Sequence, residues 1–505
     1  MYALRGGKEK IMRFNELLEM SGICVVDRGG DDNPAVNGVV YDSRCVKPGS
    51  VYVAIPGIKV HGDKFIEAAV KAGAAAVISE NPQTKISVSW AAVKDVRTAP
   101  GLLGKSLWGI DLSAMRLIGV TGTNGKTTTV CLFKNLLNRI VGEDHSWMFG
   151  TVENCFGKNK VSATHTTPES IDIFRYINES EIKPKALAME VSSHSLALRR
   201  IAGMEFDLAV WSNLTQDHLD FHKTMDEYYA AKKLLFVDYL KDGGYAIINI
   251  DDGYGRRLCR EIKANNNVLT YGTSGDADVR IIGQKCDWNG SAVTIGYNGR
   301  EYGFSSALRG AFNIYNMTAM IAGAFALGVD PQEIAGTLAN TCVVSGRMDR
   351  VDIDAPFTVV VDYAHTPDAL VNVLKTSAEI TPGRLICVFG CGGDRDRTKR
   401  PLMAKAVSEN CDQAIVTSDN PRSEKPDAII NEVVQGMPLD FPYTVVADRR
   451  EAISSALHCA RPGDCVVIAG KGHETYQEIC GTRHHFDDRE EVVNLYRKMV
   501  GNNAE

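Results

Sequence analysis

Continuous apolar runs that end in glycine or polar residues recur along the chain, and stretches of helical spacing separate them. Near the N-terminus "GVVYDSR", "SVYVAI" and "AAAVIS" are short β-rich runs, with the helix-like "KFIEAAVKAG" among them. A second group comprises "RLIGVT", "ALAMEV", "DLAVWSNL" and "YAIINI". A third comprises "FTVVVDYAH", "RLICVFGCGG", "QAIVTSDN" and "DCVVIAGKGHE". Strands this uniformly apolar are buried on both faces, which predicts mainly parallel sheets covered by helices. The pattern divides the chain into three α/β blocks, 1–112, 113–346 and 347–505, with "WGIDLSAM" as the first linker. "MRFNELLEMSG" predicts a first helix from Met12, which leaves residues 1–11 as a leader without structure. In the third block polar residues cluster at the C-terminal ends of the strands, where open α/β sheets bind ligands.

Composition narrows the classes. A chain of 505 residues with 44% hydrophobic and 23% charged residues is an ordinary globular protein of more than one domain. Fifty-six Lys+Arg against 62 Asp+Glu, a net charge of -6, argue against a broad nucleic-acid surface. No apolar run reaches the roughly 18 residues that span a bilayer, and no signal-peptide pattern opens the chain. The 13 scattered cysteines contain no C-x-x-C, which fits reduced thiols in a cytoplasm better than a disulfide framework or a zinc site. A monomer is the default expectation.

The chemistry begins at "GVTGTNGKTTT". Gly122, Thr123, Asn124, Gly125, Lys126, Thr127 and Thr128 lie between a strand and a helix, with two residues between the glycines where the common phosphate loop has four. The physics is unchanged. Glycines let backbone N–H groups face phosphate oxygens, the helix N-terminus adds positive potential, and Lys126 adds a point charge. Thr127 can place its hydroxyl on Mg²⁺. Farther along, "MEVSSHS" puts Glu190 at a strand end, and "NLTQDHLDFH" puts Asp217, His218, Asp220 and His222 at another. Taken singly, His222 and Lys233 read as surface residues, whereas Glu190 and His218 follow buried strands. Mg²⁺ prefers oxygen ligands, and an ammonium repels a metal, so Lys232 has no role from first principles.

T-G-T-N-G-K-T, "EVSSH", N-L-T-x-D-H-L-D and A-A-K resemble the Mur ligase family, and "GAFNIYN", "GRMD", "DYAHTP", "GCGGDRD", "DNPR" and "GKGHE" follow in the family's order. The later motifs resemble those members that add the third amino acid to the cytoplasmic peptidoglycan precursor. The resemblance implies a UDP-binding N-terminal domain, a central P-loop ATPase domain and a Rossmann-like C-terminal domain. It implies ATP, two Mg²⁺ ions and CO₂ held as a carbamate on Lys232, which turns that cation into a metal-binding anion. Thr127, Glu190, His218 and carbamylated Lys232 resemble the metal ligands, and Lys126, Lys232 and His218 the catalytic set. Asn313, Asn316, Arg347 and Asp362 resemble the remaining ATP contacts. Ser43, Ile58, Lys59 and Val60 resemble the uridine site, and Thr166, Thr167, Ser192 and Arg200 the contacts to the muramoyl peptide. Two positions depart from the pattern: Leu198 stands where a glutamine is common, and Ile58 where a histidine often begins the uridine loop. Arg395, Asp419, Asn420, Pro421, Arg422, Gly470 and Glu474 resemble a site for meso-diaminopimelate. Arg422 suits it chemically, because a guanidinium can grip the second carboxylate that lysine lacks.

What the resemblance implies is an ATP-dependent amide ligase acting on UDP-N-acetylmuramoyl-L-Ala-D-Glu. The alternatives are the same ligase with L-lysine, a folylpolyglutamate synthetase, and a nucleotide switch without ligase activity. A folylpolyglutamate synthetase lacks the N-terminal block and "DNPR", and a switch has no need of a third α/β block with a ligand crevice.

Overall fold

The computed structural model describes residues 10–30, 32–57, 60–163, 165–262, 267–341 and 343–502. Three main sheets follow one another along the chain.

The first has the strand order Val25–Gly29, Ser89–Val93, Ala76–Ser79, Ser50–Val53, Gly38–Val40. The last four are parallel, and Val25–Gly29 runs antiparallel on the edge. Side chains alternate across the pleat. Val51, Val53 and Ile78 therefore pack on helices Phe14–Ser21 and Ala99–Trp108, while Tyr52, Val77 and Trp90 enter a second core with Ile66 and Ala69. The first helix begins at Phe14, two residues later than its apolar spacing predicts. Met12 and Arg13 are extended and pair with Val36 and Ala35. Lys10, inside the expected leader, donates to the Trp108 carbonyl.

The second sheet has eleven strands. Ser146–Phe149, Ala186–Glu190 and Arg116–Thr121 are parallel neighbours, and the hairpin Glu153–Phe156/Asn159–Ser162 extends that edge antiparallel. Phe206–Trp211, Leu240–Asn249 and Asn267–Gly272 continue it in the other direction. It ends in three long strands, Val279–Asp287, Gly290–Tyr297 and Arg300–Ser306, paired antiparallel. The sheet is therefore mixed, with parallel neighbours inside it and antiparallel pairs at its two edges. The added strands alternate in burial, and two-residue turns join them at Trp288-Asn289 and Asn298-Gly299, the second with both residues at positive φ as a tight hairpin requires.

The third sheet has the order Asp349–Arg350, Thr358–Asp362, Cys465–Ala469, Leu385–Phe389, Gln413–Val416, Tyr443–Val445. All its neighbours are parallel except the first pair. Val360, Cys387 and Val467 face one helical layer, and Val359, Ile386 and Val466 face the other.

By packing, the chain divides into two compact units, Met1–Thr121, Leu137–Ala209 and Ala231–Ala246 in one, and Gly122–Leu136, Val210–Ala230 and Ile247–Glu505 in the other. The glycine loop and the third sheet belong to the second unit; Glu190, Lys232 and the first sheet belong to the first.

Candidate active site

In the second unit the glycine loop turns directly into helix Lys126–Val141. Gly122 and Gly125 have φ of +146° and +86°. A Cβ on Gly125 would lie 2.3 Å from Asn316 Oδ1, so only glycine fits. The segment after Trp211 holds the loop from below: Asn213 O accepts from Thr123 N at 2.9 Å, and Asn213 Oδ1 accepts from Asn124 N at 2.9 Å. Asn124 Nδ2 donates to Asp368 Oδ2 at 2.7 Å, and Thr215 Oγ1 donates to the same oxygen at 3.3 Å. The Lys126 ammonium donates to the carbonyls of Gly122 and Thr123, both at 2.9 Å. The turn thus presents a helix N-terminus and an ammonium together, the charge pattern that a polyphosphate requires.

Around it, Arg347 Nη2 donates to Thr127 Oγ1 at 3.3 Å, and its guanidinium stacks 4.7 Å from the Tyr363 ring centroid. Asp362 accepts from the backbone N–H groups of Met348 and Ala364, which fixes the "GRMD" turn that carries Arg347. Burial pushes the Asp362 carboxyl up, against the pull of Arg347. Asn316 Nδ2 donates to Asn313 Oδ1 at 2.9 Å, and Asn313 Nδ2 to the Arg309 carbonyl at 2.7 Å. His365 and His473 flank the Tyr363 ring at 4.7 and 5.0 Å. Burial, helped by Lys399 for the one and Arg347 for the other, holds both imidazoles down at about 4, so both are neutral at pH 7. Asp217 runs the other way. Burial alone would raise it, but His218, His365 and Lys399 together hold it at about 2. His218 has φ +55° and lies 3.4 Å from Asp217, half exposed.

A second cluster in this unit joins three strand-end loops. Asn420 Nδ2 donates to Glu474 Oε2 at 2.7 Å, and Asn420 Oδ1 accepts from Glu478 N at 2.9 Å. Gly470, at φ +119°, leaves room for the Asp419 carboxylate, which a Cβ would approach to 2.6 Å. Pro421 is buried beside them. Arg422 sits at φ +52°; its Nη1 donates to the Gly393 carbonyl at 2.7 Å, and its backbone is pinned by Glu478 and Cys480. Arg395 is exposed and donates to Asp394 O.

In the first unit Glu190 is 1% exposed, and its two carboxylate oxygens accept from Thr151 N at 2.7 Å and Thr151 Oγ1 at 3.1 Å. The Thr151 hydroxyl also accepts from the Thr166 hydroxyl, and Thr167 Oγ1 bridges the Glu190 carbonyl and the Ser192 N–H. Ser192 caps helix Ser193–Ala197 by accepting from Ser195 N. Arg200 is 3.4 Å from Glu169, whose carboxyl burial pushes up to about 6 against Arg200 and Arg97. Ser43 opens a short turn capped by Asp42. Val60 is exposed, and Ile58 and Lys59 lie outside the described residues.

Models of three Mur ligase segments match the chain: the family's catalytic domain at 35–101, its middle domain at 120–324 and its glutamate ligase domain at 346–472. A UDP-N-acetylmuramoyl-L-alanyl-D-glutamate--2,6-diaminopimelate ligase from Syntrophomonas wolfei is 43% identical over 494 residues, covering 97% of this chain and all of its own. The chain belongs to the Mur ligase family. A solved structure of a ligase of the same name superposes with a TM-score of 0.68 at 35% identity, over 96% of this chain and 99% of its own. The Mur ligase fold also extends to MurF from Thermotoga maritima in complex with ADP, at 19% identity and a TM-score of 0.63 over 92% and 98% of the two chains. The fold is therefore the three-domain α/β architecture of the Mur ligases.

In this Mur ligase the motifs from Gly122 to Thr128, Asn313, Asn316, Arg347 and Asp362 gather in one unit. His222 corrects its reading as a surface residue: it is 4% exposed, with its ring tilted 5.1 Å from Tyr228. Lys232 is 1% exposed and Lys233 only partly buried. Among the described residues no group of three His, Cys, Asp or Glu side chains is arranged to hold a metal by itself. A metal would need donors of other kinds as well, such as a hydroxyl, a carbamate or phosphate oxygens. No helix of the described residues is long and apolar enough to cross a membrane. Sequence reading missed Asn213, Thr215, Asp368, His365, Lys399 and His473. Each lies in or just beside a quoted motif, but its role depends on which loops meet.

Proposed function

We propose that this Mur ligase is an ADP-forming amide ligase that joins meso-diaminopimelate to the D-Glu γ-carboxyl of UDP-N-acetylmuramoyl-L-Ala-D-Glu. One observation carries the reading: "DNPR" and "GKGHE" meet in a single strand-end cluster, through Asn420 and Glu474, in a chain whose full-length relatives bear the diaminopimelate ligase name. In the first step a γ-carboxylate oxygen attacks the γ-phosphorus of ATP and ADP leaves. In the second the amine attacks the acyl-phosphate carbonyl, phosphate leaves, and the amine's proton goes to solvent. Phosphoryl transfer asks chiefly for positioning and charge neutralisation. Lys126, the loop N–H groups, Thr127, Thr128 and Arg347 are proposed to supply both; in support, Asp362 fixes the Arg347 turn and Asn316 lies against Gly125. Asn313 holds Asn316.

Thr127, Glu190, His218 and Lys232 as its carbamate are the residues that would hold two Mg²⁺ ions. The donor set, mostly oxygen, suits that ion, which when bound neutralises phosphate charge. Ser43, Ile58, Lys59 and Val60 are proposed for uridine, and Thr166, Thr167, Ser192 and Arg200 for the muramoyl peptide. Arg395, Asp419, Asn420, Pro421, Arg422, Gly470 and Glu474 are proposed for diaminopimelate. The proposed domains are residues 1–112, 113–346 and 347–505, and the enzyme is proposed to work as a cytoplasmic monomer. Phosphate release from ATP tests the reading: it should require both the UDP-dipeptide and the amino acid. Release that needs neither would mark a nucleotide switch.

A further inference from the structure

Lys471, in the "GKGHE" turn, has no exposed side-chain surface. Its ammonium donates to Asn420 Oδ1 and Glu474 Oε2, both at 3.3 Å, and to the Tyr476 carbonyl, and it lies 5.4 Å from the Tyr476 ring centroid. A buried ion pair is weak evidence for stability, since well-packed apolar residues often replace one at no cost. Its partners point to a purpose. Because Lys471 and the Glu478 N–H both approach Asn420 Oδ1, the Asn420 amide is locked with Nδ2 toward Glu474 Oε2. Glu474 Oε2 is thereby used twice, while no hydrogen bond among the described residues reaches its Oε1. Charges and phenols from several elements face Glu474: Asp419, Lys471, Tyr363, Tyr476 and Arg449. Burial and Asp419 push the Glu474 carboxyl up, and Lys471 opposes them.

We propose that Lys471 is a positioning residue for the amino-acid pocket, fixing Asn420 and Glu474 so that Glu474 Oε1 is presented as a carboxylate oxygen to the far-end ammonium of the diamino acid. The inference rests on the diaminopimelate reading above. Without Lys471, Glu474 keeps its burial and its Asp419 neighbour and loses its cation, so it takes up a proton closer to neutral pH. Raising the pH removes that proton and restores the carboxylate.

The test is Lys471→Met, assayed beside the wild type with ATP, UDP-N-acetylmuramoyl-L-Ala-D-Glu and meso-diaminopimelate from pH 7.0 to 8.5. The KM for diaminopimelate should rise about tenfold or more at pH 7.0, the scale of a lost charged hydrogen bond. The KM for ATP should stay within about twofold, and the diaminopimelate KM ratio of variant to wild type should shrink as pH rises. A ratio indifferent to pH, or an ATP KM that rises equally, overturns the proposal. If circular dichroism shows Lys471→Met unfolded, Lys471→Met/Asp419→Asn replaces it. With the neighbouring carboxylate gone its KM ratio should be flat with pH, and a ratio that still falls with pH overturns the proposal. A wild type that releases no phosphate in response to diaminopimelate overturns the functional reading itself, and this inference with it.

Discussion

Lys232 and Lys233 are neighbours in sequence with different surroundings: the first is 1% exposed, the second only partly buried. The proposed carbamate on Lys232 follows its motif, and it exchanges the cation for a metal-binding anion. Lys232→Ala should lower turnover about 100-fold or more, the scale of a lost metal contact, and a short carboxylic acid should restore part of it. Lys233→Ala should keep near-normal turnover, and normal turnover in Lys232→Ala would refute the carbamate. At this scale the sequence was legible where a residue type has one obvious use. Lys126 opens its helix directly after the glycine turn and strand Arg116–Thr121, as the spacing of its motif predicts. His222 was not legible, because an imidazole after an acidic stretch reads as solvated and only packing against Tyr228 shows otherwise. Lys471 was hidden in the same way. Its motif was visible, but one of its partners, Asn420, comes from a loop about fifty residues away in sequence.

Loops set the geometry that these residues need, and glycine sets the loops. Gly125 holds φ +86° with its α-carbon against Asn316. Gly125→Ala adds left-handed strain of about 1–2 kcal/mol and forces Asn316 or the loop aside. Its ATP KM should rise about tenfold, by 1.4 kcal/mol of lost positioning, with a lowered melting temperature in the same preparation. Unchanged ATP kinetics in Gly125→Ala would show that the loop does not cradle the nucleotide. Buried parallel strands were legible as elements, since runs such as "LICVF" and "CVVIA" are apolar throughout. The strands from Val279 to Ser306 were not, although an Asn-Gly turn at Asn298-Gly299 marks one of their hairpins. One face meets solvent, so their pattern is half polar and resembles connecting loop.

At the scale of the molecule, three apolar groupings mark three sheets, and that much could be read directly. The division into two packing units could not. It cuts helix Lys126–Val141 and strands Phe206–Trp211 and Leu240–Asn249, where no change of polarity announces it. Acid stability is also a property of the whole. His365 and His473 titrate at about 4 when folded, below the usual 6.5. A lowered imidazole contributes stability that is complete above 6.5 and is lost as pH falls toward 4. Each ring should remove about 2 kcal/mol between pH 7 and 4.5. Glu169, pushed up to about 6, works in the opposite direction, so the readout is a difference. In urea unfolding, His473→Gln should lose less stability than wild type over that interval, and equal losses would place the ring in water. Amino-acid choice is proposed to be set by the whole pocket around Arg422. It is tested most directly by turnover of wild type and Arg422→Ala with meso-diaminopimelate and L-lysine, with ATP and UDP-N-acetylmuramoyl-L-Ala-D-Glu saturating. Wild type should strongly prefer meso-diaminopimelate, and Arg422→Ala should lose about 30-fold or more in kcat/KM for it, the scale of a broken charge pair. A wild type that prefers L-lysine would contradict the account.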